Sequence, residues 1–441
     1  MAKKGKKHGR RLAPRIVKRN GNRIRFVGKV NADAHYQFMW CLYDSLRRGY
    51  EDVVLDFSAC KSAFPDGMIP LLSSADALRR DRIDVSLQLP ERPELERLFL
   101  NTNWAHILDP KRFRKSETEH DRHLAAQRFR DFDEQQQLVN AFVNVVMRNM
   151  TLDRSVIAGL EWSVNEITDN VLNHAECEEG GIVQVSTFRE ARKVAFGVAD
   201  SGKGILSSLR EGHPSLQTDA QAIDEAMKAG ITRNPDVGQG NGIAGALNIA
   251  TMSKGMFSIT SGQAQILVRI DSNTGSPDSR VFKRSPWQRL QGTVVYAEIG
   301  LDTQFHLSEA LGFAGELHQP DIIELLYETE TGDAVVLKMR DESTGFGSRA
   351  AGQHLRTKCV NLLNAEPTKP LLLDWTGVPL VSSSFADELV GKLFVTLGPL
   401  AFSARVRNLG MDAVVGGLVD KAILQRVGQV ANGTVVQGDV L

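Results

Sequence analysis

A chain of 441 residues, 42% hydrophobic and 24% charged, is long enough for two to four domains and has the balance of an ordinary globular protein. No apolar run reaches the length that spans a bilayer, and four scattered cysteines without a CxxC pair suggest neither a zinc site nor a disulfide framework, so a cytoplasmic protein without a membrane segment is expected. The net charge of zero hides an asymmetry: residues 1–25 carry eleven of the 53 Lys and Arg and no acid, leaving 42 bases against 53 acids, a net of −11, on the rest.

Residues 1–20 read as a disordered basic arm suited to nucleic acid or an acidic partner, although it lacks interleaved aromatics. From there the patterning predicts a strand over Arg23 to Val30, a helix over Ala32 to Arg48 and a buried strand over Asp52 to Phe57. The loop SACKSAFPDG follows, then a helix from Met68 to Arg80, a strand from Val85 to Leu89 and a helix from Glu94 to Leu100. This alternation predicts a small α/β layer domain over 21–109. It holds no nucleophile beside a base and no glycine loop, so binding or regulation is expected of it. A charged connector spans 110–126.

The central domain, 127–300, is organised around LEWSVNEITDNVLNHA, Leu160 to Ala175. Leu160, Val164, Ile167, Val171 and Leu172 form the apolar stripe of an amphipathic helix. Glu166, Asn170 and His174 make a polar row at four-residue steps, with Asp169 and Asn173 beside it. An amide oxygen one turn after a carboxylate suits a hard cation such as Mg²⁺ next to a proton acceptor. Two strands, Ile182 to Phe188 and Lys193 to Ala199, are expected to form an antiparallel hairpin.

That hairpin runs into Asp200-Ser-Gly-Lys-Gly-Ile205, where an acid at a strand end precedes two glycines that let a flat ligand approach the backbone. Residues 206–237 read as a lid with one helix, Asp219 to Ala229, and Lys228, Thr232 and Arg233 as further contacts. Gly238, Gly240 and Gly242 then lead into a helix from Ile243 to Met252, a phosphate-binding arrangement. Gly240, Gly242 and Gly245 also spell GxGxxG. No strand precedes them, and Gln263 and Gln265 stand where the acid of a dinucleotide site belongs, so that fingerprint is set aside.

In this order the three motifs resemble those of the GHKL superfamily, the ATP-binding fold of gyrase, heat-shock chaperones, histidine kinases and mismatch-repair ATPases. They are most similar to those of the anti-sigma-factor serine kinases, whose first box also has a Glu four residues before the Asn and a His four after it. The resemblance implies a Bergerat-type α/β sandwich with ATP and Mg²⁺ as cofactors. It implies Asn170 as Mg²⁺ ligand, Glu166 as general base and Asp200 on adenine, with Gly202 and Gly204 shaping the pocket and Gly238, Gly240 and Gly242 on the phosphates.

After a connector at 301–330, residues 331–441 repeat the N-terminal plan: strand Ala334 to Met339, helix Arg349 to Leu363, strand Pro370 to Trp375, helix Phe385 to Leu397, strand Ala404 to Val406 and helix Met411 to Gln425. DFSACKSAFPDGM, from Asp56, and DWTGVPLVSSSFA, from Asp374, set strand, loop and helix start at equal spacing. Both resemble STAS domains, the C-terminal copy a divergent STAS-like form, which puts Ser384 at the phosphoacceptor position and Asp66 at its counterpart. The expected whole is a multidomain α/β protein, a GHKL ATPase between two STAS-like domains. Its expected function is that of a bacterial regulator, an ATPase or serine/threonine kinase that switches STAS-like contacts to a protein partner or to itself. The alternative is a conformational ATPase that closes and dimerises on a protein or nucleic-acid client.

Overall fold

The computed structural model describes residues 15–116, 123–228, 242–271, 274–303, 322–329, 331–342 and 346–431. The protein is a mixed α/β multidomain chain with several sheets. It divides into two compact units, one of residues up to 117 together with Lys283–Gln291, the other of Thr118–Phe282 and Gly292–Leu441. Among the described residues no helix is long and apolar enough to cross a membrane.

The first unit begins with β1 (Val17–Asn20), β2 (Arg23–Phe26) and β3 (Gly28–Val30), followed by α1 (Ala32–Leu46), β4 (Asp52–Asp56) and β5 (Cys60–Ala63). It continues through α2 (Pro65–Arg80), β6 (Asp84–Gln88), α3 (Pro93–Asn101) and α4 (Trp104–Leu108). Its main sheet has the order β1-β2-β4-β6, antiparallel at β1/β2 and parallel beyond, while β3 pairs with β5. The single strand expected over Arg23 to Val30 is therefore two, and the loop SACKSAFPDG contains a third, because three or four residues of β3 and β5 suffice to pair with each other. Phe26 stacks on Phe57 at 4.3 Å in a core that also buries Phe38, Phe99 and Trp104.

The second unit opens with β7 (His123–Phe129), α5 (Phe132–Asn149), α6 (Arg154–His174), β8 (Gly181–Phe188) and β9 (Lys193–Asp200). Next come α7 (Gly204–Leu209), α8 (Asp219–Ala226), α9 (Gly242–Met252), β10 (Met256–Gly262), β11 (Ala264–Ile270), β12 (Pro277–Lys283) and β13 (Leu290–Gly300). The seven strands are ordered β12-β11-β10-β13-β9-β8-β7, with β8 and β9 forming the expected antiparallel hairpin. α5, α6 and α9 pack side by side, α6 reaching β9 and α9 reaching β10.

Three further strands, β14 (Val335–Lys338), β15 (Leu371–Asp374) and β16 (Val406–Leu409), form a parallel sheet in sequence order. Around them lie α10 (Ile322–Tyr327), α11 (Met339–Glu342), α12 (Arg349–Ala365), α13 (Ser383–Ala386), α14 (Lys392–Leu397), α15 (Pro399–Arg405) and α16 (Ala413–Ala431), with a π-helical turn at Asp387–Gly391 between α13 and α14. The strand–helix–strand–helix–strand path from β14 to β16 is the same as that from β2 through α1, β4 and α2 to β6. Local chemistry repeats too. Asp56 Oδ1 accepts from Ser58 N at 3.0 Å, as Asp374 Oδ1 accepts from Thr376 N at 3.0 Å, and Asp66 and Ser384 are each the second residue of the helix that follows.

One continuous core runs from Leu124 to Ala422, so the C-terminal layer is built onto α5. Asn361 of α12, fully buried, accepts from Leu152 N at 2.7 Å and donates to the carbonyls of Met147 and Met150 at 2.7 Å each, satisfying backbone groups where α5 ends and α6 begins.

Candidate functional site

Glu166 and Asn170 lie one turn apart on α6, half-buried beside the buried stripe of Leu160, Val164, Ile167 and Val171. Gly242, the first residue of α9, is packed against them: a Cβ there would stand 2.7 Å from Glu166 Oε2 and 3.1 Å from Asn170 Nδ2. The missing side chain lets the N-terminus of α9, where backbone N–H groups lack intrahelical acceptors, reach a carboxylate and a carboxamide. Burial, and then the neighbouring Asp169, push the Glu166 carboxyl above its ordinary pKa. Asp169 is itself raised by burial, against the 2.8 Å bond its Oδ2 accepts from Asn173.

The second part of the site is the turn after β9. Asp200 is 5% exposed, and its Oδ1 accepts from Gly202 N at 2.8 Å. Gly202 lies against the end of α6, where a Cβ would fall 2.0 Å from the Ala175 carbonyl oxygen, and Lys203 N donates to that same oxygen at 2.9 Å. Gly292 crosses Asp200 from the other side with φ +87°, and a Cβ on it would stand 2.7 Å from Asp200 Oδ1. Gly204 opens α7 and would meet Ser261 Oγ. α6 thus carries Glu166 at one end of the site and meets the Asp200 turn at Ala175, about 13 Å further along its axis.

Two hydroxyls here escape the sequence reading. Ser261 Oγ donates to the Gly292 carbonyl at 3.0 Å and accepts from Ile205 N at 3.0 Å, and Thr293 Oγ1 lies 3.3 Å from it. Their only signal is Ser-Gly at the end of one strand and Gly-Thr near the start of another, which on their face are ordinary strand ends. Gly238, Gly240 and Thr232 fall outside the described residues. Ser384 is exposed, on a helix packed against α12 and α16, in a different layer from Glu166. The helix cap there is Ser382, whose Oγ accepts from Phe385 N at 3.0 Å. Asp66 Oδ2 instead accepts from Ala32 N at 3.3 Å, at the start of α1.

Residues 351–421, from α12 into α16, match the family model described as a STAS-like domain of unknown function (DUF4325), so the C-terminal layer is STAS-like. No curated protein matches the chain.

Proposed function

We propose that Mg²⁺-ATP binds between α6, the Asp200 turn and the start of α9, in a domain of GHKL type, and that its turnover switches the contacts of the STAS-like layer. The observation that carries this reading is the approach of Gly242 to Glu166 and Asn170, since a side chain at 242 would close the space between the helix N-terminus and that pair. The N-terminal unit, with its matching path of strands and helices, is read as a second STAS-like module.

The residues fit the ligand. Asn170 offers a neutral oxygen to the cation and the N-terminus of α9 suits phosphate oxygens. The Asp200 carboxylate, flanked by Gly202 and Gly292, suits an adenine amino group. Bound Mg²⁺ supplies charge neutralisation on the phosphates. Glu166 takes the proton of the attacking oxygen, from water or from the Ser384 hydroxyl of a second copy of the chain, as its bond to the γ-phosphorus forms and the bond to ADP breaks. Asn361 links this chemistry to the STAS-like layer, because it holds the backbone that leads into α6.

Incubation with Mg²⁺-ATP labelled on the γ-phosphate tests the reading. Label on Ser384 makes the protein a serine kinase switch, and label released as free phosphate makes it a conformational ATPase. Failure of the wild type to bind nucleotide, with Asn170→Ala no different, would sink it.

The raised pKa of Glu166 gives a second expectation. A base must be ionised, so turnover falls as pH drops through a pKa held above the usual carboxylate range. Asp169→Asn removes one of the two causes and is expected to move that acidic limb to lower pH. Coincident pH–rate profiles for wild type and Asp169→Asn would remove Asp169 from the account.

A further inference from the structure

The first unit carries a surface that nucleotide binding leaves unused. α1 presents Tyr36, Trp40 and Tyr43 at steps of four and three, a single stripe along the helix, with Arg47 at its C-cap one turn on. The segment Lys283–Gln291 lies along this stripe, with the Trp287 ring 4.6 Å from that of Tyr43, which is 6.3 Å from that of Trp40. Trp40 remains 44% exposed and Trp287 46%, so two of the largest apolar side chains stand half in water, one on each side of Tyr43 in the chain of ring contacts.

The surroundings of these rings are cationic. Beside Trp40 opens a cavity of about 330 Å³ lined by Arg15, Lys18, Arg19, Cys41 and Asp44. Its one acid is already matched, Asp44 lying 2.7 Å from Arg19 and 3.4 Å from each of Arg47 and Arg48. The three bases that line the cavity against Asp44 leave two positive charges in excess, and Arg47 and Arg48 stand beside it. Arg284, 7% exposed, holds its guanidinium carbon 5.3 Å over the Tyr36 ring, and its Nε and Nη1 have no acceptor among the described residues. In sequence, residues 1–14 before Arg15 hold six further Lys and Arg. The basic arm has no aromatics of its own, whereas Arg15, Lys18 and Arg19 share a cavity with Trp40.

We propose that this face binds single-stranded nucleic acid. Unpaired bases stack on the half-exposed rings of Trp40 and Trp287 while Arg15, Lys18 and Arg19 hold phosphates. A duplex keeps its base faces inside its own stack and offers only phosphates to such a surface.

Fluorescence anisotropy of the full chain with labelled 20-mers of dT and of rU, against a 20-base-pair duplex, tests the proposal. The single strands are expected to bind more tightly than the duplex. Trp40→Ala is expected to weaken binding roughly tenfold, as is usual for loss of one stacked base. Lys18→Glu is expected to weaken it further and to lower the salt slope by about 0.7 for each phosphate no longer neutralised. Glu166→Ala is expected to leave it unchanged, which separates this surface from the nucleotide reading. The proposal is overturned if the duplex binds as well as the single strands, or if deletion of residues 1–14 abolishes binding while Trp40→Ala and Lys18→Glu bind as wild type. Equal competition by polyglutamate or by phosphatidylserine vesicles would likewise overturn it, leaving a surface that reads charge alone. Should Trp40→Ala fold poorly, Trp287→Ala gives the same readout from the other half-exposed ring.

Discussion

If the proposed nucleotide site is right, Glu166→Gln is expected to bind ATP close to wild type while turnover of the γ-phosphate falls by about 10²–10⁴-fold, the usual worth of a positioned proton acceptor. The amide keeps the volume that packs against Gly242, so the approach of α9 is preserved. What it loses is the ability to take a proton. Calorimetric titration with ATP and a phosphate-release assay read the two effects separately. An equal loss in both would make Glu166 a binding group, and no loss in either would return α6 to an ordinary amphipathic helix. The comparison with Asn170→Ala sharpens the assignment: on the proposed reading, loss of the carboxamide oxygen is expected to weaken Mg²⁺-dependent binding itself.

The parts of this site that can be read from sequence are those fixed by local periodicity. α6 declares its buried stripe and its polar row at helical spacing, and β8 and β9 are short, mostly apolar runs between turn-forming ends, so both strands and the C-terminal end of α6 are legible to within one residue. What cannot be read depends on partners far along the chain. β12 is exposed over nearly its whole length and has no apolar contrast to mark it, and nothing near Trp287 announces that it packs on Tyr43. α15 escapes the pattern because Gly398 and Pro399 look like a break, although proline at the first helical position keeps the helix intact. Residues 206–237 suggest one helix, yet α7 already begins at Gly204, where the positive φ of the glycine turns the chain out of the Asp200 loop. Ser261 and Thr293 gain meaning only when β10 and β13 bring them to Asp200. At α13 the run Ser382-Ser383-Ser384 offers three equivalent caps to the eye, and the hydrogen bond to Phe385 N selects the first.

Lys358→Ala is expected to loosen the STAS-like layer by about 3–5 kcal/mol, because it removes one member of a buried ionic cluster and leaves the others behind. The Lys358 side chain is fully buried, with Nζ 2.6 Å from both Glu342 carboxylate oxygens, 2.7 Å from Asn144 Oδ1 and 4.7 Å from the centre of the Tyr327 ring. Burial pulls its pKa down to about 8 even with Glu342 beside it to hold the charge. In the alanine variant, among the described residues, Glu342 keeps Arg148, at 3.1 Å, and Asn144 keeps the Tyr327 hydroxyl, at 2.7 Å, around a void the size of the missing side chain. Replacing both charges, in Lys358→Met/Glu342→Leu, is expected to recover part of the loss, since two apolar groups leave no carboxylate stranded. Hydrogen exchange along α12 is the direct measure, because α12 carries Lys358 and faces α5, which carries Asn144 and Arg148. Faster exchange at α12 in Lys358→Ala, with α1 and α2 of the other unit unchanged, is the expected pattern. If the double variant were no better than the single one, the loss would belong to packing and the ionic cluster would have no part in holding this layer to the helix pair that carries the site.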